Sequence, residues 1–424
     1  MSEKVKKRLI LIGAGLRGKA YSDIALKNPD EFEIIAVAEP IEERRKVIQK
    51  IHNIPDNMCF STWEPMLEMP KFADAAVICT MDREHFKPAM AAIEKGYHLL
   101  LEKPISPIPQ ECVTIEKAAR EKGVSVLVCH VLRYTPFFRA IKKIIDEGTL
   151  GEIINIQHEE AVGNIHQSHS FVRGNWANSD DSSPMILQKS CHDMDILQWL
   201  ICKDCKSVQS FGSLSYFRSE NAPKDAPEYC IEGCPHADTC CYNAVRIYLD
   251  DKKNKWFRTS CTKMHEPTDA DVERAIRTTN YGKCVFKCNN NVVDHQVVNL
   301  EFDGGVTVAF TMSAFTKGGR TIRVMGTEGE LTGKMGQPVL TYYNFATKES
   351  TEIKIADKIV DDSIVGGHGG GDSGIMKAFY KLLCGIEDVS LCDISVAVRN
   401  HMIAFAAERS RIERRVVDMK EYEY

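Results

Sequence analysis

Residues 9–12, Leu-Ile-Leu-Ile, form an apolar run too short for a helix and stopped at Gly13, the pattern of a strand buried on both faces. Gly13, Gly15 and Gly18 follow at G-x-G-x-x-G spacing, and residues 19–27 read as the helix that this loop opens. Glycines alone would fit any tight turn, but a second apolar strand over 32–38 ends at Glu39, 21 positions after Gly18. Glycine lets backbone N–H groups approach a pyrophosphate at a helix N-terminus, and an acid closing the second strand accepts hydrogen bonds from ribose hydroxyls. The unit therefore predicts a dinucleotide site built on Gly13, Gly15, Leu16, Arg17, Gly18 and Glu39. The Glu39 carboxylate repels the extra phosphate of NADP, so NAD is expected and NADP is less favoured, with Arg44 and Arg45 the nearby residues that speak for NADP.

The alternation continues with strands over 75–80, 98–101 and 125–129 and a helix over 85–95 that carries Phe86, Met90 and Ile93 on one face. Such alternation makes a doubly wound parallel sheet, here occupying residues 1–130. A chain of 424 residues has room for two or three domains at roughly 150 residues each. Lys plus Arg number 54 against 59 Asp plus Glu with no basic block, so nucleic acid is not an expected partner. No apolar run approaches the roughly 20 residues of a membrane span, and the first seven residues carry no signal-peptide core. A cytoplasmic protein without a membrane partner is expected.

The stretch from Cys79-Thr80 through His85 and Gly96 to Leu101-Glu102-Lys103-Pro104 resembles the Gfo/Idh/MocA family, the glucose-fructose oxidoreductase and inositol dehydrogenase group. The region around His192 extends the resemblance into the second half. It implies an α/β protein: an N-terminal Rossmann domain, then a C-terminal α+β domain over 131–424 with a large open, mostly antiparallel sheet that carries the substrate site and subunit contacts. It also implies a nicotinamide-dependent oxidoreductase acting on a CH–OH group of a sugar, glycoside or cyclitol, as a homodimer or homotetramer. By its residues alone, Lys103 is a cation at a strand's carboxyl end, where open α/β sheets place ligands, and a surface ion pair with Glu102 is the plainer reading. The resemblance instead makes Lys103 catalytic, in contact with the reacting hydroxyl, and puts Thr80, His85, Glu102 and Pro104 around the cofactor.

Strand-like runs over 153–159, 208–217, 297–302, 306–315 and 321–325 follow, with Gly304-Gly305 as a hairpin turn. The alternation of Val306, Val308 and Phe310 fits a sheet with one covered face. Between them, Gln188 to Asp195 lead into an apolar helix, where Asp193 reads as a cap. In the family a histidine in this setting is the acid/base on the substrate hydroxyl, which makes His192 the second catalytic residue. The commonest family pattern has Asp four residues before this histidine and Gly two before it; here those positions are Gln188 and Ser190, so the protonation scheme of inositol dehydrogenases does not carry over whole. Lys189 either binds substrate or lowers the pKa of His192. Arg133, Tyr134, Asp195 and, in the glycine-rich run 366–372, His368 complete the expected substrate contacts, with interdomain packing the alternative for Arg133 and Tyr134 and a flexible loop for His368. His166, His169 and Trp176 lie in a polar loop, where local packing is the plainer role and ring stacking the sharper one.

Of 16 cysteines, Cys230, Cys234, Cys240 and Cys241 crowd one polar stretch of an insertion near 222–290. In a reducing compartment these read as packed thiols or as ligands of a structural zinc, less readily of an iron–sulfur cluster. His236, Cys261, Cys284 and Cys288 are further donors, and the expected role is to tether a segment that roofs the substrate site. Two other functions stay open: an NAD-dependent glycosidase-like enzyme working through a transient keto-sugar, and a non-enzymatic nucleotide or redox sensor, against which the presence of both Lys103 and His192 counts.

Overall fold

The computed structural model describes residues 5–358, 367–386 and 391–422. The first half builds one parallel sheet from β1 (Lys7–Ile12), β2 (Phe32–Ala38), β3 (Cys59–Phe60), β4 (Ala75–Ile78), β5 (His98–Leu101) and β6 (Val126–Val128). Its order is β3-β2-β1-β4-β5-β6, and every ladder is parallel. Leu9, Ile10 and Leu11 are fully buried, as a strand covered by helices on both faces must be. The chain runs outward from β1 in one direction and from β4 in the other, so a crevice opens between their carboxyl ends, where such sheets bind ligands.

Two of the loop glycines answer to packing. Gly13 has φ +88°, and a Cβ there would lie 2.6 Å from the carbonyl oxygen of Cys79. A Cβ on Gly18 would lie 2.1 Å from the carbonyl oxygen of Gly13, so the helix Leu16–Lys27 can approach its own loop only without a side chain there.

The second half folds into a nine-stranded sheet from β7 (Ile153–Ala161), β8 (Cys205–Ser213), β9 (His295–Phe302), β10 (Thr307–Ser313), β11 (Gly319–Gly326), β12 (Gly329–Lys334), β13 (Val339–Asn344), β14 (Glu349–Lys354) and β15 (Val417–Asp418). The order is β14-β13-β12-β11-β7-β10-β9-β8-β15, with β7 and β10 parallel and the remaining ladders antiparallel. Period-two burial is clear on β9, where Gln296, Val298, Leu300 and Phe302 face inward and His295, Val297, Asn299 and Glu301 face outward. The inner face packs on helices Pro136–Asp146, Cys191–Ile201 and Ile394–Glu413. Strand character expected to 217 stops at Ser213, because Asp294 accepts the N–H groups of Ser215 and Tyr216 at 2.9 and 2.7 Å and turns the chain into the insertion.

Replacing Gly18 by Ala is expected to lower stability by about 1–3 kcal/mol, the usual range for overpacking a tight contact. A reduced urea midpoint at unchanged slope checks this, and an unchanged midpoint contradicts it.

Candidate functional site

A cleft of about 480 Å³ lies between the two sheets, lined by Leu16, Arg17, Thr80, Lys103, Lys189 and His192 among others. At its Rossmann end the helix Leu16–Lys27 begins at Gly15 with no side-chain cap and no acid in its first turn. Its first N–H groups are therefore left for an anion, which fits a dinucleotide pyrophosphate. Glu39 is buried and accepts from the N–H of Ala14 at 2.6 Å and of Ile41 at 2.9 Å, bracing the glycine loop.

Arg17 donates to Glu102 at 2.7 Å and to Asp372 at 2.7 Å, joining the glycine-loop helix to β5 and to the helix Gly371–Leu383. Burial alone would raise the Glu102 carboxyl, but Arg17 and Lys103 outweigh it and hold it low. His85 is buried, with Nδ1 2.7 Å from the carbonyl of Pro104 and Nε2 3.1 Å from that of Thr80, so it ties two strand ends together. The Lys103–Pro104 peptide is cis. Lys103 Nζ donates to the main-chain oxygen of Gln188 at 2.7 Å. That contact uses the backbone of Gln188, so it does not depend on which side chain stands there.

His192 lies in the first turn of Cys191–Ile201, 7% exposed, and faces the cleft. Its ring meets that of His130 edge-on at 5.6 Å, and His130 meets His401 at 5.4 Å. His401 accepts the N–H of Ile105 at 3.0 Å, and burial, followed by the field of His130, pushes it down to about 3. Burial likewise lowers His130, so these two inner imidazoles are neutral near pH 7.

Asp193, a helix cap by sequence pattern, is an anchor instead; the cap position is Ser190. The Asp193 carboxylate is fully buried and accepts from His158 of β7 at 2.8 Å and from Arg320 of β11 at 2.7 Å. Burial would raise its pKa, yet Arg320 and His158 hold it well below the usual range. Arg320 also pairs with Glu160, and Lys189 lies 3.5 Å from the same carboxylate. Burial lowers the Lys189 ammonium, with Arg320 and Lys103 adding to the effect against Glu160. Arg320 escaped the sequence pattern; its only signal is the pair Gly318-Gly319, with φ of +102° and +111°, that delivers it to β11.

Arg133, Tyr134 and Asp195 are not among the cleft's lining residues. Arg133 and Asp195 form a buried two-pronged pair at 2.7 and 2.7 Å beneath the helix that carries His192, and Asn400 donates to the same carboxylate. Tyr134 is buried against Gly374. The packing alternative therefore describes Arg133 and Tyr134, and Asp195 joins them. His130, Asp195 and Cys392 offer three ligand atoms within 4.8 Å of one another, but Arg133 already neutralises Asp195, which disfavours a cation there. The side chain of His368 lies outside the described residues.

The cleft is also lined by Trp176, the ring-stacking candidate, and by two residues with little sequence signal, Phe171 and, from the insertion, Trp256. Asp82 accepts from the Trp176 indole at 3.1 Å, and His166 packs edge-on against Trp256 at 5.0 Å. Burial, with Lys189 next, pushes His166 well down, while burial and then Arg173 push His169 down to about 3. The insertion also reaches the glycine loop, where His265 Nε2 sits 2.9 Å from the carbonyl of Ala14.

A glycine loop at a sheet's switch point, opening on a lysine and a histidine that face one cleft, defines a dinucleotide-dependent oxidoreductase. Residues 7–130 match the model of an oxidoreductase family, NAD-binding Rossmann fold, and residues 142–419 match that of its C-terminal alpha/beta domain. The chain belongs to the Gfo/Idh/MocA family and is an NAD-binding oxidoreductase. It is 22% identical to the putative oxidoreductase YteT of Bacillus subtilis (strain 168), over 95% of this chain and 97% of that one. It is 31% identical to scyllo-inositol 2-dehydrogenase (NADP(+)) IolW of the same organism, over 35% of this chain and 39% of that one. A levoglucosan dehydrogenase in complex with NADH and levoglucosan shares the fold at a TM-score of 0.72 and 16% identity, covering 98% of this chain and 99% of that one. Among the described residues no helix is long and apolar enough to cross a membrane.

Replacing Asp193 by Asn is expected to cost about 3–5 kcal/mol, because it leaves Arg320 short of a buried partner. The folded carboxyl is held low, so its contribution is full above about pH 4 and shrinks as pH falls toward the folded value. Urea midpoints of both proteins across that interval should converge in acid; a gap that is constant with pH contradicts the assignment.

Proposed function

We propose that the chain is an NAD-dependent dehydrogenase that oxidises or reduces a hydroxyl or keto centre of a sugar, glycoside or cyclitol, with residues 1–130 holding the cofactor and 131–424 the substrate. The observation that carries this reading is the convergence of Lys103, Lys189 and His192 on the cleft that begins at Leu16 and Arg17. NAD supplies the hydride chemistry when bound. His192 takes the hydroxyl proton, and Lys103, steadied by the Gln188 carbonyl, donates to the same oxygen and stabilises negative charge as it develops there. Lys189, on the same wall as Lys103, reaches a second substrate oxygen. The rings of Trp176 and Trp256 suit the C–H face of a saturated ring, and relatives named for inositol and levoglucosan support this substrate class.

NAD fits better than NADP. The buried Glu39 carboxylate stands at the end of β2 beside the glycine loop, where its charge opposes a 2′-phosphate, and Arg45 is turned back to donate to the carbonyl of Glu39 at 2.5 Å. On the outer face of the nine-stranded sheet Phe211 is paired opposite Val297, and both are exposed, which favours burial against a second copy in a homodimer or homotetramer.

Purified protein incubated with NAD and a panel of free sugars, cyclitols and glycosides is expected to form NADH in step with a keto product. Aglycone release at constant NADH reassigns it to redox-assisted glycoside cleavage, and silence across the panel with NAD bound overturns the dehydrogenase reading. Replacing His192 by Ala should lower kcat by about 10²–10⁴ with NAD affinity unchanged; loss of both reassigns His192 to structure.

A further inference from the structure

The cysteine-rich insertion surrounds a buried cation that the proposed reaction does not use. Arg173 is 2% exposed and, among the described residues, forms no ion pair with a carboxylate. Its Nε donates to the carbonyl of Lys283 at 2.8 Å, and one Nη donates to that of Tyr242 at 2.7 Å and lies 3.6 Å from the sulfur of Cys230. Its other Nη is buried with no hydrogen-bond partner. A buried guanidinium whose described partners are carbonyls, thiols and the Tyr248 hydroxyl has no carboxylate to compensate its charge, which is costly unless something anionic belongs there.

The backbone brings two cysteine pairs to that cation. Tyr229 bridges to Lys283 in antiparallel fashion, Cys230 N–H bonding Gly282 and Cys284 N–H bonding Glu228, each at 2.9 Å. Cys230 and Cys284 therefore stand as diagonal neighbours on one face. Cys234 and Cys288 follow their partners at C-x3-C spacing, within the range that holds structural metals. The thiols feel one another: burial raises Cys284, with Cys230 and Cys234 adding, and burial pushes Cys288 up to about 11, with Cys284 and Cys230 adding and Arg173 opposing. Cys241, an expected ligand, does not belong to this group; it is exposed and faces Asn164 at 3.9 Å. Cys240 sits at the edge, in the field of Cys230.

We propose that Cys230, Cys234, Cys284 and Cys288 form a tetrathiolate site for a thiophilic metal, with Arg173 as its buried counter-charge. Four thiolates on a divalent ion carry net negative charge, which is what the guanidinium lacks. Binding displaces the thiol protons to solvent and forms four metal–sulfur bonds without redox change in the protein. Among the described residues no three of these sulfurs lie within 4.8 Å of one another, so closure on one zinc, with bonds of about 2.3 Å, draws them inward, whereas an iron–sulfur cluster holds them farther apart. Four protein ligands leave no open position, so the centre is structural: it clamps the segment that carries Trp256 to the cleft and His265 to the glycine loop.

The full-length protein, purified anaerobically without chelator and again after reconstitution with zinc or with iron and sulfide, is analysed for zinc, iron and acid-labile sulfide. About one zinc per chain without sulfide, or iron with matching sulfide, is expected and tells the two occupants apart. The Cys284→Ser/Cys288→Ser double variant should lose the metal, while Cys202→Ser, an exposed position outside the insertion, should keep it. Alkylation with peptide mapping on the folded wild type gives an independent reading if the double variant misfolds, since the four thiols should be protected until the metal is removed. Metal-free protein after every reconstitution, full metal content in a folded double variant, or four thiols equally reactive before and after metal removal overturns the proposal.

Discussion

The carboxylate of Asp193 is the contact on which the cleft depends. It is fully buried, and it is held by an imidazole from one central strand and a guanidinium from the next, so the start of the helix Cys191–Ile201 is pinned to the nine-stranded sheet. Lys189 and His192 flank that pin within one turn. Their position is set by a buried ionic network that cannot slide without stranding a charge. From the other side, the Lys103 ammonium reaches across to the Gln188 carbonyl, one residue before Lys189, and closes the cleft between the two halves.

The same charges set the electrostatics of the site. Lys103, Lys189 and Arg320 crowd one wall, and Glu160 and Asp193 answer them from below. The imidazoles of His130 and His401 behind this wall are buried and neutral. Hydrogen-bond donors line that wall, and the rings of Phe171, Trp176 and Trp256 line the cleft as well. Such division of polar and apolar surface is what the proposed polyol substrate requires.

Much of this was legible from the chain alone. The glycine spacing after a buried strand, the acid 21 positions on, and the alternation of Val306, Val308 and Phe310 specify a Rossmann sheet and a one-sided antiparallel sheet, because both signals are local and periodic. Lys103 and His192 stood out only through the family resemblance carried by the Glu-Lys-Pro turn and the His192 region. Capping is the local use of an acid at a helix start, so the sequence offers that role for Asp193, whereas its partners lie 35 and 127 residues away. Arg133 and Asp195 look like site residues by position, and only side-chain direction turns them into the core.

The sequence by itself determined the two sheets and the dinucleotide loop, since each rests on spacing within a few residues, and its resemblance to the family singled out the pair of candidate catalytic side chains. Tertiary structure alone decided which charges meet: Arg320 with Asp193 and Glu160, Arg17 with Glu102 and Asp372, and the Arg173 guanidinium with the Cys230 sulfur 57 positions away. The physical reason is that burial makes charge pairing obligatory without saying which partner must supply it, and only the packing of distant strands and helices makes that choice.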